Sequence, residues 1–255
     1  MTSILLKNIN CNGILSDIYI EGSRIKRIMP VGSAGHEGEC RIASGVEVMD
    51  CEGKTAMPGF INMHTHAAMS LMRGTEEDVV FSDWIQKIWK MEKSIDEEFV
   101  YWGTKVACLE MIKTGTTTFN DQYWYSPAAR RASAEMGIRP VVSYVALDHN
   151  DHEACELQKE KQFTLRFPRI SMSFKDSGMF ETAFHAIYST SEELMLWVSD
   201  FAKKHNLKLH IHLSETEKEV NDCKELHGGL TPVEYLDRLG ILNSDVIAAH
   251  TLWLT

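Results

Sequence analysis

No C-x-x-C pair occurs among the six cysteines (Cys11, Cys40, Cys51, Cys108, Cys155 and Cys223). Their wide scatter argues against a disulfide scaffold or zinc ribbon and suits free thiols in a reducing, cytoplasmic compartment. No stretch approaches the roughly 18 apolar residues that a membrane span needs. The first ten residues mix apolar pieces with Lys7, so no membrane contact, export or anchoring is expected. Positive charge is in the minority: 26 Lys and Arg against 36 Asp and Glu leave a net charge of −10. Such a surface repels phosphate backbones, and no nucleic-acid partner is expected. Internal repeats and low-complexity tracts are missing as well. The 44% hydrophobic and 24% charged content over 255 residues excludes disorder and collagen and belongs to a globular chain of one large or two modest domains.

What is present falls into two patterns. Residues 1–53 read as a small β module: Ile4–Leu6, Ile18–Ile20, Arg24–Ile28 and Val46–Asp50 are short strands, punctuated by Gly13, Gly22, Gly32, Gly35, Gly38 and Gly45. The loop from Pro30 to Gly45 reads as exposed. From about residue 54, after which Met57-Pro58-Gly59 follows, apolar runs alternate with amphipathic helices, the habit of β/α units around a parallel sheet. The expected strands are Gly59–Met63, Thr116–Asn120, Arg139–Ala146, one ending near His185, Leu207–Leu213 and Asp245–His250, spaced by roughly one β/α repeat. Between them, Asp96–Lys113 predicts a helix with Phe99, Trp102, Val106, Leu109 and Ile112 on its apolar face. Ser191 and Thr231-Pro232 predict the starts of two more.

Eleven histidines stand out against this background. His64 and His66 close the first barrel strand two residues apart, so both imidazoles project to one side of its C-terminal end and can share one cation, unless they are merely a core or surface pair. His210-Ile211-His212 closes another strand, with Glu215 in the loop just beyond. His212 reads as a ligand, and the deeper His210 as a hydrogen-bonded interior histidine. His185 and His250 end two further strands, so four strand ends deliver a histidine to one rim.

The segments Pro58–Met69, Arg73-Gly74, Asp83-Trp84-Ile85, Gly115–Thr118, His210–Thr216 and Ala249–Thr255 together resemble the metal-dependent amidohydrolase superfamily. The likeness is strongest to its branch of 5′-methylthioadenosine/S-adenosylhomocysteine deaminases and related chlorohydrolases. It runs through essentially the whole chain and corresponds to the N-terminal portion of such a protein.

The fold implied is an incomplete (β/α)8 TIM-type barrel of about six strands over residues 54–255, C-terminally truncated, with a small N-terminal β-sandwich module over 1–53. The resemblance further implies that His64, His66 and His212 bind one divalent metal, zinc or alternatively iron. It implies that Glu215 shuttles a proton to the substrate ring and also contacts the substrate, and that His250 orients or polarises the metal-bound water. Glu92 would hold ribose hydroxyls, and His185 would hold the substrate over the metal. The expected reaction is hydrolytic deamination of a small purine nucleoside, with other amino- or chloro-substituted heterocycles as alternative substrates and a homo-oligomer left open.

The shortfall of strands motivates the rival reading of a non-catalytic remnant or interaction protein, and the three ligands alone that of a metal-binding protein; two departures also stand against the carry-over of roles. Glu181–Ile187 lacks the prolines usual around the histidine, and the aspartate that relatives supply from an eighth strand has no counterpart. Asp121 and Asp148 read as loop or turn residues rather than substitutes for it. The H-x-E with P-C-x-x-C signature of small zinc deaminases is missing too. Trp84, Trp89, Trp102 and Trp124 read as helix packing, with a pocket wall as the alternative. Met63, Met69 and Met72 read as apolar filling, Cys108 and Cys223 as structural, and Lys159–Lys161 and Glu217–Glu219 as solvated helix faces.

Overall fold

The computed structural model describes residues 3–33, 45–166 and 179–254. The chain divides into two units, Met1–Gly59 and Phe60–Thr255. In the first, β1 (Ser3–Cys11) lies antiparallel to β2 (Ile14–Glu21) and parallel to β4 (Val46–Asp50) and β5 (Thr55–Ala56), while β3 (Arg24–Pro30) extends the sheet beyond β2. Asn12 and Gly13 turn the β1–β2 hairpin with φ of 52° and 85°, the left-handed pair that a two-residue turn matched to strand twist requires. Ile9, Ile18 and Cys51 form a buried cluster. Among the described residues this unit is one mixed sheet, and the pairing of Thr55–Ala56 with β1 carries it past residue 53. Gly35, Gly38, Cys40 and most of the loop expected after Pro30 lie outside the described residues.

The second unit contains six parallel strands in sequential order: β6 (Phe60–Thr65), β7 (Thr116–Tyr123), β8 (Arg139–Ala146), β9 (Met179–Phe184), β10 (Leu209–Leu213) and β11 (Val246–His250). A short 3-10 helix (Ala67–Met72), α1 (Phe81–Glu92) and α2 (Glu97–Lys113) follow β6. Then α3 (Ser126–Met136) follows β7, α4 (His152–Arg166) follows β8, α5 (Glu192–His205) follows β9, and α6 (Glu217–Leu226) and α7 (Pro232–Arg238) follow β10. The sheet curls until His64 on its first strand and His250 on its last have ring centroids 5.1 Å apart, giving a nearly closed barrel with, among the described residues, the expected six strands. β10 is buried at all five positions, as a strand covered on both faces should be. Phe184, Leu194, Val198, Ile211, Leu236 and Ile241 tie β9 and β10 to α5 and α7.

The expected helix starts are present. Ser191 Oγ accepts from Leu194 N, and Thr231 with Glu234 forms a reciprocal capping box. Asp96 caps α2 through Phe99 N at 2.8 Å.

The buried face of α2 differs from the expected one. Trp102, Val106, Leu109 and Ile112 are 52%, 36%, 52% and 46% exposed, whereas Val100, Gly103, Thr104, Ala107 and Cys108 are buried. A Cβ at Gly103 would stand 2.3 Å from the carbonyl oxygen of Ala68, so the missing side chain lets the helix backbone lie directly on the 3-10 helix. Hydrophobic periodicity weights large side chains and overlooks a contact face built from small ones. Cys108 and Cys223 are buried free thiols, together with Cys51 and Cys155. No helix among the described residues is long and apolar enough to cross a membrane.

Candidate metal centre and its cavity

Period-two alternation carries His64 inward on β6, with His66 just past its end, and places His210 and His212 inward on β10. One ring nitrogen from each of His64, His66 and His212 falls within 4.8 Å of the other two. The tautomers follow from acceptors that cannot donate. His66 Nδ1–H donates to the Gln122 carbonyl at 2.6 Å and His212 Nδ1–H to the His185 carbonyl at 2.9 Å, so each Nε2 carries a lone pair. These two lone pairs face each other at 3.2 Å.

With no hydrogen between them that contact is repulsive, but it matches the roughly 3.3 Å separating two nitrogens on a tetrahedral cation with bonds of about 2.05 Å. His64 Nδ1 meets His210 Nε2 at 2.9 Å. With His64 as the donor there, its own Nε2 stays unprotonated. Burial, reinforced by neighbouring imidazoles, holds His64 down to about 2 and His185 and His210 to about 3, and lowers His66 and His212 as well. Neutral imidazoles beside a backbone carbonyl are the form that coordinates metals, and this donor set suits a divalent cation.

A cavity of about 510 Å³ opens over the cluster, walled by Trp84, Trp89, Tyr123, Trp124 and Tyr188, with Glu92, Gln122, His185, Glu215 and His250 also on its lining. A second cavity of about 780 Å³ shares Trp89, Glu92, Trp124 and Leu147 with it. Trp84, Trp89 and Trp124 are therefore wall residues rather than only helix packing, and Trp102 is exposed.

Glu215 sits with Oε1 3.5 Å from His250 Nε2, and burial, then the charge of Glu219, pushes its carboxyl up to about 7. Glu92, the last residue of α1, accepts from the Tyr123 hydroxyl at 2.7 Å, and burial lifts it to about 7 against that bond. His185 Nδ1 lies 2.7 Å from Ser189 Oγ, which is also 3.3 Å from the Ala186 carbonyl. With the hydroxyl donating to that carbonyl, His185 Nδ1–H is the donor to Ser189 and its Nε2 an acceptor. All seven expected site residues, His64, His66, Glu92, His185, His212, Glu215 and His250, line this one cavity. His210 is the hydrogen-bonded interior histidine that the sequence suggests.

One expectation changes. Asp121 is not a loop residue: it lies inside β7, fully enclosed, where it accepts from Ala67 N at 2.7 Å, and burial raises its carboxyl to about 7. Asp148 is in a loop but buried, and it bolts that loop to the start of α5 through Ser191 N and Oγ at 2.8 and 2.6 Å. Gln122 and Tyr123 carry no motif, yet the same strand periodicity that finds the histidines places Gln122 inside the barrel. There its amide donates to the carbonyls of Phe184 and His210, both at 3.1 Å. A second donor group, His152, Glu156 and Glu193, is wholly exposed, and Lys159 already pairs with both carboxylates.

A family model described as the amidohydrolase family matches residues 55–255. The chain is 41% identical over 257 aligned positions to a 5′-deoxyadenosine deaminase of Methanoregula boonei, covering 99% of this chain and 56% of that protein. It is 40% identical to a 5-methylthioadenosine/S-adenosylhomocysteine deaminase of Thermococcus sibiricus, covering 95% of this chain and 55% of the relative. The crystal structure of a zinc-bound adenosine deaminase of Xanthomonas campestris superposes with a TM-score of 0.81 at 25% identity, over 100% of this chain and 58% of that one. The chain thus spans little more than half the length of the curated relatives it matches.

Proposed function

This chain belongs to the amidohydrolase family, and from that premise we propose that its histidine centre serves the hydrolytic deamination of an adenine-type nucleoside such as 5′-deoxyadenosine, methylthioadenosine or S-adenosylhomocysteine. The observation that carries the reading is the pair of opposed Nε2 lone pairs of His66 and His212 at 3.2 Å, completed by His64 and set beside the raised carboxyl of Glu215. In this reading His64, His66 and His212 hold a divalent cation, zinc in preference to iron. When bound, the cation lowers the pKa of a water and stabilises negative charge developing on oxygen.

The chain's own side chains do the rest. Water oxygen adds to the amine-bearing ring carbon while Glu215, protonated near neutral pH, gives its proton to the adjacent ring nitrogen. The amine takes up the proton that the attacking water gives to His250 and leaves as ammonia, and the remaining hydroxyl proton returns to Glu215 as the ring carbonyl forms. His250, 3.5 Å from Glu215, is placed to take a proton from the attacking water and hold it within reach of that carboxyl. The free Nε2 of His185 accepts from the substrate, Glu92 binds sugar hydroxyls with its second oxygen while Tyr123 holds the first, and Trp84 and Trp89 flank the ring.

Zinc-loaded protein should release ammonia from these nucleosides, with His212→Ala as the control. No release above that control rejects the reading. A second reading, metal binding without turnover, draws support from the all-imidazole cluster, which includes no carboxylate ligand among the described residues. Stoichiometric zinc without ammonia would select it.

A further inference from the structure

Two helices of the barrel begin with a threonine cap and a glutamate three residues on, but the two glutamates behave differently. In α7, Glu234 is exposed and reaches back to the N–H of its own cap, Thr231, at 2.8 Å, the ordinary reciprocal box. In α6, Thr216 Oγ1 accepts from Glu219 N in the same way, at 3.1 Å. The carboxylate of Glu219, however, reaches beyond its cap to the two preceding peptide groups: Oε1 accepts from Ser214 N at 3.1 Å and Oε2 from Glu215 N at 2.8 Å, with the Thr216 N–H a lesser contributor. Glu219 is buried, with 3% of its surface exposed, so the expectation of a solvated face over Glu217–Glu219 fails at this position. A carboxylate is removed from water there and has backbone N–H groups as its compensation.

The peptide it grips is under strain and lies at a junction. Ser214 has φ of 52°, in the left-handed region that a serine seldom occupies. The Ser214 carbonyl accepts from Leu252 N and Trp253 N at 3.1 and 3.0 Å, and Thr251 N donates to the Leu213 carbonyl at 2.9 Å, so the turn after β10 is tied to the backbone just after His250. Both sides of the Glu215–His250 pair therefore hang from one short piece of main chain.

We propose that Glu219 is a positioning residue for Glu215, its buried carboxylate clasping the Ser214 and Glu215 peptide N–H groups and so fixing where the Glu215 side chain enters the cavity. The assignment rests on the reading of Glu215 as the proton-transferring group. The clasp also sets a negative charge close behind Glu215. The other titratable groups that bear on Glu215 are His250 from β11 and Tyr188 from the loop after β9, while Glu219 itself also acts on Tyr188 and on Cys223 along α6.

The test needs no turnover. In the zinc-loaded full chain labelled with carboxyl-13C glutamate, the Glu215 signal is the one lost in Glu215→Gln, and it should titrate near 7. Glu219→Gln removes the charge and turns one N–H acceptor into a donor. The Glu215 midpoint should fall toward the ordinary glutamate range, and the Ser214 and Glu215 amides should exchange hydrogen roughly tenfold faster or more. Glu219→Asp keeps the charge but shortens the reach, so exchange should accelerate while the midpoint stays raised.

An unchanged midpoint with unchanged exchange in a natively folded Glu219→Gln protein overturns the proposal. Should that variant fail to fold, unchanged exchange in Glu219→Asp overturns it instead. Ammonia release is measured separately, and its absence in the unsubstituted protein would reject the deamination reading while leaving the clasp to be judged by the carboxyl and amide signals.

Discussion

Burial leaves Glu215 poised near 7, and the direction of its pH dependence follows from the proton-donating role proposed for it. A general acid must be protonated, and the protonated fraction of Glu215 falls as pH rises through about 7, so the rate limb that it controls should decline above that point. Glu215→Gln should cut ammonia release by roughly 100-fold to 10,000-fold with bound zinc unchanged by elemental analysis. His212→Ala should lose both, because it removes one of the three imidazoles proposed to hold the cation. The residue scale was largely legible in advance: H-x-H at a strand end puts two imidazoles on one side whatever the rest of the fold does. The roles of the ring nitrogens were not. They depend on which carbonyl lies opposite, Gln122 for His66 and His185 for His212, and those carbonyls arrive from other strands and loops.

At the scale of elements, α2 shows where pattern and packing part. Its most hydrophobic stripe is exposed and its small-residue stripe is buried against the 3-10 helix. Gly103→Ala should therefore destabilise the protein by about 1–3 kcal/mol or more in urea unfolding, since the new methyl meets backbone that cannot move aside cheaply. Ile112→Lys, on the stripe that periodicity predicted to be core, should change stability by no more than about 0.5 kcal/mol. The opposite result for the pair would restore the periodicity reading. Strands fared better than helix faces in the sequence. β8 is a near-continuous apolar run and β10 an alternation of apolar residues with His210 and His212, both covered on both sides, patterns that survive any choice of neighbour, whereas the inward face of a helix depends on what lies beneath it.

For the whole molecule, a cation that binds only the folded chain adds stability by mass action, about 2.7 kcal/mol at a free concentration 100 times its Kd. Zinc should raise the melting temperature measured by calorimetry, a chelator should reverse the rise, and His66→Ala should remove it. A zinc-induced rise that persists in His66→Ala would place the metal elsewhere.

The amino-acid sequence alone determined the period-two placement of each histidine pair, the alternation of apolar strands and helices that makes a parallel barrel, and a net charge of −10. Only the tertiary structure decided that His66 and His212, 146 residues apart, meet at 3.2 Å, that Glu92 and Glu215 are buried enough to hold protons near neutrality, and that Glu219 turns inward to grip a strained peptide. The reason is physical. Periodicity is a property of one strand or helix and is written in its own residues, whereas desolvation, tautomer and charge proximity are set by atoms that other elements bring to the same place.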